Sequence, residues 1–365
     1  MQKGCVNLSK KGISTLQVAA VYIGTVVGAG FATGQEILQF FTRFGPLGLT
    51  GLIFTTIMLI LFGYIIMDLG KELKVHSHLE IISFSCGGLL GTIIDAIITF
   101  FLFGSFTAMI AGTGALFTQQ FNLPVLLGTL IMASLTAMTV LTGIKGVINS
   151  ISFVVPFLLV SVIGISLFSI LNAPPDFAGT AVDMGESTLI SNWFLSAVLY
   201  VSYNIIISIA VLGPLGYEAR DKTSLRNGAI LGGLGLGLGA TIIYLALYGS
   251  FLEIKHLEVP MIFVASKISV AVQTAYAVIL IAEIYTTAVG SLYGFVSRLT
   301  EIRKHPINKK MVVAASTIAA LLASQLGFSN LVKYLYPVEG YCGIVLLISL
   351  IYTRLESKGY IKFIK

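Results

Sequence analysis

The sequence predicts an all-helical integral membrane protein with ten transmembrane helices, arranged as two inverted sets of five. Three observations lead there. Of 365 residues, 56% are hydrophobic and only 10% are charged, whereas a soluble domain carries about a quarter charged residues. So much apolar surface has no place in water, and the bilayer is its solvent. Apolar runs of roughly 20 residues, the length that crosses a bilayer, recur along the chain. The basic residues fall between those runs with a strong bias to one side.

Ten spans are read: 14–41, 46–70, 90–119, 124–142, 147–171, 190–216, 228–251, 261–297, 310–327 and 329–353. Turn residues separate some of them, such as Phe44, Gly45 and Pro46, or Asn172, Ala173, Pro174 and Pro175. An even number of spans puts both termini on one side. If that side is the cytoplasm, 18 of the 22 Lys and Arg residues lie inside, leaving only Arg43, Lys255, Lys267 and Lys333 outside. The longest opposite loop, 172–187, has no Lys or Arg and carries Asp176, Asp183 and Glu186. The expected protein is thus a multi-pass plasma-membrane protein with cytoplasmic termini. The first apolar run outlasts a signal-peptide h-region, so no cleavable signal is expected. The chain is read as one transmembrane domain, 1–365, with a first repeat over 14–171 and a second over 190–353. An odd number of spans per set makes the second set enter from the opposite side, as inverted repeats require.

Several other classes are set aside. The net charge of +6 is spread over short inter-span segments, as orientation demands, so no nucleic-acid partner is expected. Cys5, Cys86 and Cys342 lack CxxC spacing and imply neither a disulfide framework nor a metal site. The stretch Gly232–Gly239 lies inside an apolar span without a preceding strand, which favours tight helix packing over a nucleotide loop. His76 and His78 read as a solvated loop rather than a metal site. HExxH, GxSxG and paired-Asp motifs are absent, so the chain is not read as an enzyme.

The first span carries the strongest local signal. Gly24, Gly28, Gly30 and Gly34 fall within eleven residues at mid-span, and each weakens a helix by about 1 kcal/mol relative to alanine. Thr25, Thr33, Gln35 and Glu36 lie beside them, where lipid would make them costly. Close packing through two small-xxx-small motifs is one reading. A discontinuous helix is the other: its unwound carbonyls coordinate a cation, and the free N–H groups of its second half meet an anionic group. Glu36, one to two turns beyond the break, tips the balance toward function and is a coupling or gating candidate.

The run Thr25-Val26-Val27-Gly28-Ala29-Gly30-Phe31-Ala32-Thr33-Gly34-Gln35-Glu36 resembles the first-helix signature of the YkvI-type bacterial membrane protein family. More distantly it is similar to the Gly-x-Gly break of LeuT-fold transporters, the amino acid–polyamine–organocation superfamily, whose first and sixth helices are discontinuous. Gly143, Ile144, Lys145 and Gly146 resemble the opening of that superfamily's fifth helix, and Tyr285, Thr286, Thr287 and Ala288 its paired hydroxyls. The resemblance implies a sodium site from the Gly24 and Val27 carbonyls with the Thr286 and Thr287 hydroxyls. It implies substrate contacts from the backbone of Gly28, Ala29 and Gly30. Phe31 stands where neurotransmitter-type members carry an asparagine, which removes support for their additional sodium site. Some proton-coupled relatives place a lysine in the fifth helix. No Lys or Arg occurs between Lys145 and Arg220, which favours sodium over that proton mechanism.

Ser202, Tyr203 and Asn204 sit in the sixth span, opposite the break by repeat position, and are read either as substrate lining or as interhelical glue. Glu283 lies one turn before Thr287 and is either a coupling-ion ligand, a proton carrier or a partner of Lys267. That pairing is geometrically poor along one helix. Asp95 and Glu339 are placed near span ends, as solvated residues or members of gate ion pairs.

The expected function is secondary transport, with the lipid bilayer as solvent and a small amino acid or related zwitterion as substrate. Coupling to sodium is favoured over a proton. The rival is a non-transporting nutrient sensor of the same fold, although the chain offers little soluble surface for signalling. Nothing in the sequence speaks to oligomeric state.

Overall fold

The computed structural model describes residues 12–75, 78–142, 144–177, 189–301 and 308–357. Every regular element among them is a helix, with one isolated parallel bridge between Ile13 and Ala219. That bridge ties the chain before the first helix to the end of α8 (Trp193–Glu218), through Ile13 N–H to the Glu218 carbonyl and Arg220 N–H to the Ile13 carbonyl, both 3.0 Å.

The first apolar run folds as three helices. α1 (Thr15–Val26) begins where the Ser14 N–H donates to Gln17 Oε1 at 3.0 Å. It ends at Val27 and Gly28, both extended. α2 (Ala29–Thr33) follows, then Gly34 at φ 79°, then α3 (Gln35–Phe40). A residue with a β-carbon pays about 1–2 kcal/mol at such a φ, so a glycine belongs at the second corner.

Pro46 opens α4 (Pro46–Leu73) at a first-turn position, where its missing N–H costs nothing. α5 (His78–Phe121) changes direction at Gly87, φ 73°. α6 (Val125–Thr142), α7 (Ile144–Asn172), α8 and α9 (Lys222–Tyr248) follow. The short α10 (Phe251–Ile254) and α11 (Pro260–Ser266) lead into α12 (Val270–Glu301), α13 (Lys309–Ala323) and α14 (Phe328–Ser357). Among the described residues, eight helices are long and apolar enough to cross a bilayer: α4, α5, α6, α8, α9, α12, α14, and α13 with its following 3-10 turn. Thr15–Val26 and Phe157–Asn172 are shorter apolar helices. The perimeter is apolar, with Leu89 81% and Leu171 82% exposed, as a lipid-facing wall must be.

Two span boundaries and the continuity of the sixth span differ from expectation. The third span begins earlier, because residues 78–86 form a helical arm before the Gly87 corner. The eighth span begins later, because Pro260 starts a separate short helix that ends at Ser266 and is capped by Lys267. Lys267 therefore lies off the helix that carries Glu283, and it pairs with Glu253 instead. The sixth span is not interrupted: α8 runs unbroken over its 26 residues. The Asn204 amide donates to the Tyr200 carbonyl of the same helix at 2.8 Å, and Pro214 sits only in its last turns.

Packing centres on α4 and α8, with α9 and α1 on one side and α14, α5 and α12 on the other. Glycines of α9 let α1 and α4 approach: a β-carbon at Gly232 would lie 2.6 Å from the Tyr22 ring, and one at Gly233 2.5 Å from Ile60. This is the packing role read from Gly232–Gly239. At one end of the bundle Arg354 of α14 pairs with Asp68 and Glu72 of α4, and Lys222 reaches Glu72 at 3.4 Å. Beside them Asp221 caps α9; the Ser224 N–H and the Arg220 guanidinium hold its carboxyl down to about 2. Cys86 and Cys342 are free thiols. Cys5, His76, Gly143, Asp183 and Glu186 lie outside the described residues.

Candidate functional site

The interruption between α1 and α2 determines which groups become available. The last carbonyls of α1 have no further helical turn to accept from, apart from Ile23, which receives the Val27 N–H at 2.8 Å. The Gly24 carbonyl belongs to this set, and Val27 follows on the extended segment just beyond α1. Across from them stands α12, whose Thr287 hydroxyl would lie 4.0 Å from a β-carbon at Gly28. Thr286 is buried and turns its hydroxyl back to the Glu283 carbonyl at 2.9 Å. Thr287 thus faces the break, while Thr286 would have to rotate to do so. Tyr276, also on α12, donates to the Ala32 carbonyl at 2.5 Å and pins α2 in place.

Gly30 has a different neighbour. Its Cα abuts the Glu36 carboxylate so closely that any β-carbon would collide with Oε1. The other oxygen, Glu36 Oε2, accepts a hydrogen bond from the Tyr203 hydroxyl of α8. Gln35 Nε2 donates to Ser329 Oγ at 2.7 Å, linking α3 to α14. Phe40, Tyr200 and Tyr203 form an aromatic cluster, and Tyr203 meets Tyr336 of α14 with ring centroids 5.1 Å apart.

The substrate residues expected on the sixth span divide accordingly. Tyr203 reaches the interrupted segment through Glu36. Ser202 packs its backbone against Gly343 of α14, and its hydroxyl has no partner among the described residues. Asn204 is engaged with its own helix. Glu283 is buried, with Oε2 unpartnered among the described residues.

Two residues read near span ends are withdrawn from solvent. Asp95 forms an ion pair with Arg298 of α12, with only 18% and 11% of the side chains exposed. A charge inside an apolar bundle is retained by finding an opposite one. Glu339 is 2% exposed, and it follows Tyr336 by three residues on α14. The central placement of 339 within the span 329–353 was the available signal for its burial. Among the described residues, no group of three or more His, Cys, Asp or Glu could hold a metal ion.

This architecture is shared with solved transporters of the LeuT fold. Mhp1 in its inward-facing conformation matches with a TM-score of 0.62 at 13% identity, over 88% of this chain and 74% of that one. MhsT in complex with L-phenylalanine matches at 0.64 and 16%, over 94% and 89%. A Na+-coupled sialic acid symporter, substrate-bound and outward-open, matches at 0.59 and 13%, over 93% and 78%. At such identities the likeness is one of fold. No protein-family model matches the sequence. The membrane protein YkvI of Bacillus subtilis (strain 168) is 32% identical over 343 residues, which cover 92% of this chain and 94% of YkvI. YyaD of the same organism is 28% identical over 342 residues, 92% of this chain and 96% of its own length. The chain belongs to the YkvI family of membrane proteins.

Proposed function

We propose that this protein is a secondary transporter that carries a small amino acid or related solute by alternating access, coupled to sodium. The single observation that carries the reading is the interrupted first span, with the Val27–Gly28 opening facing Thr287. Interrupted helices at the bilayer midplane present carbonyls to cations and N–H groups to anions without extra charged side chains. The sodium ion would take the Gly24 and Val27 carbonyls with the Thr287 hydroxyl, and Thr286 once rotated. The substrate would contact the backbone of Gly28, Ala29 and Gly30, with Tyr203, Ser202 and Asn204 in the wall beyond.

The reading orders the spans as ten, in inverted sets over 14–171 and 190–353, with both termini cytoplasmic. The neighbours lend it support, since one holds L-phenylalanine and another is Na+-coupled. Sodium favours one facing of the site through its differential affinity, and substrate permits the reverse step. Counterflow of labelled amino acids in proteoliposomes, with and without sodium, is the test. Sodium-dependent accumulation is expected. Binding without flux would instead make the protein a nutrient sensor.

A further inference from the structure

A cavity lies within the helical bundle. It has a volume of about 400 Å³ and is bounded by α5, α8, α12 and α14. Its walls are mostly apolar, with Ile98, Phe101 and Leu102 from α5 and Ile206 from α8. Ser105, Ser291, Ser297, Arg298 and Glu339 supply its polar lining. Ser105 and Ser291 bring their hydroxyls within 3.0 Å of each other across α5 and α12. Glu339 borders it from α14, 2% exposed, with Oε1 lacking any hydrogen-bond partner among the described residues. Arg298, also at the cavity, makes its ion pair with Asp95.

The depth of Glu339 matters. It stands eleven residues into α14, about 17 Å from the start of that helix at 1.5 Å per residue, so it sits near mid-membrane. A carboxylate there is costly unless something meets it. A calcium or magnesium ion is a poor match, because each gathers about six or more oxygens at close range. Here one carboxylate and three serines line a space an order of magnitude larger than the ~30 Å³ of a single water. An ammonium group is a better match. It brings three donors for a carboxylate and hydroxyl oxygens, and the molecule attached to it fills the apolar remainder.

We propose that this cavity binds the ammonium group of a small primary amine or amino acid, with the Glu339 carboxylate as its acceptor and the apolar walls around an aliphatic or aromatic side chain. The site is distinct from the Gly28–Gly30 backbone and concerns binding, whether or not the bound molecule is carried across. It is nonetheless joined to the interrupted helix. Glu339 and Tyr336 share α14, Tyr336 meets Tyr203, and Tyr203 holds Glu36.

The test uses the full-length protein purified in detergent, with thermal shift and titration against four probes: L-leucine, isoamylamine, phenethylamine and 4-methylpentanoate. The three amines should raise Tm, since a ligand that binds only the folded state stabilises it. 4-Methylpentanoate, which lacks the ammonium group, should not. Glu339→Gln should raise the Kd of the amines at least tenfold. Ile206→Trp, which fills the cavity and leaves Glu339 in place, should do the same, and it keeps the test decisive if the Gln variant misfolds. The proposal is overturned if 4-methylpentanoate binds as well as the amines, or if none of the amines shifts Tm. It also falls if folded Glu339→Gln binds them like wild type, or if only sodium chloride titrates the Glu339-dependent shift. Loss of flux alone bears on the transport reading and leaves this one standing.

Discussion

The Tyr203 hydroxyl donates a hydrogen bond to Glu36 Oε2, joining α8 to the segment that follows the helix break. Both side chains are buried, and the opposite Glu36 oxygen presses on Gly30. The conformation of the broken helix and the position of α8 are therefore coupled through one carboxylate. A motion of either element must carry or break that bond.

Tyr203→Phe keeps the ring and deletes the donor, leaving a buried carboxylate with one partner fewer. The expected loss is about 1–3 kcal/mol of stability, read as a fall in Tm. Glu36→Gln in the same background should restore part of it, since an amide is less costly to bury. Additive losses in the double variant would show that the two residues are energetically independent.

Gly28 and Gly30 should respond differently to enlargement. A methyl at Gly28 meets only Thr287 at 4.0 Å, so Gly28→Ala should fold normally. Gly30→Ala must displace Glu36 and should lower Tm even without ligand. Gly28→Leu with Gly30→Leu should abolish substrate binding. Unchanged affinity in that folded variant would remove the backbone from the site.

Gly34→Ala places a β-carbon at φ 79° and 2.8 Å from Met261 Cγ. The backbone cost alone is about 1–2 kcal/mol. Tm should fall accordingly, and by more than for an alanine at Gly290, where a β-carbon meets nothing within 4 Å.

Removing both hydroxyls, as Thr286→Val with Thr287→Val, nearly conserves volume and deletes two oxygen donors. The sodium-induced part of the thermal shift should shrink, and half-saturation should need much more sodium. Glu283→Gln separates the alternative. If transport follows a pH gradient, ignores sodium and fails only in the Glu283 variant, a carboxylate carries the coupling. A wild-type sodium response in the double valine variant would leave the threonines as packing residues.

Cysteines introduced at Ser187 and at Lys358, in a background without native cysteines, should be labelled from opposite faces of the membrane. Labelling of both from outside intact cells would dismiss the ten-span orientation.

Composition and the spacing of apolar runs were enough to determine that this chain lives in a bilayer as a helical bundle, because a membrane segment satisfies its backbone within itself. Glycine density marked where the first span would fail, because the weakness is intrinsic to the local chain. The glycines of α9 were likewise legible as a packing face. Tertiary structure decided the rest. That the Asn204 amide would turn to a carbonyl of its own helix, four residues back, was one such outcome. Whether Asp95 would be solvated depended on Arg298, 203 residues away. The cavity before Glu339 arises from four helices meeting. No sequence period encodes such a meeting, since helix faces in a bundle are selected by the neighbours they pack against.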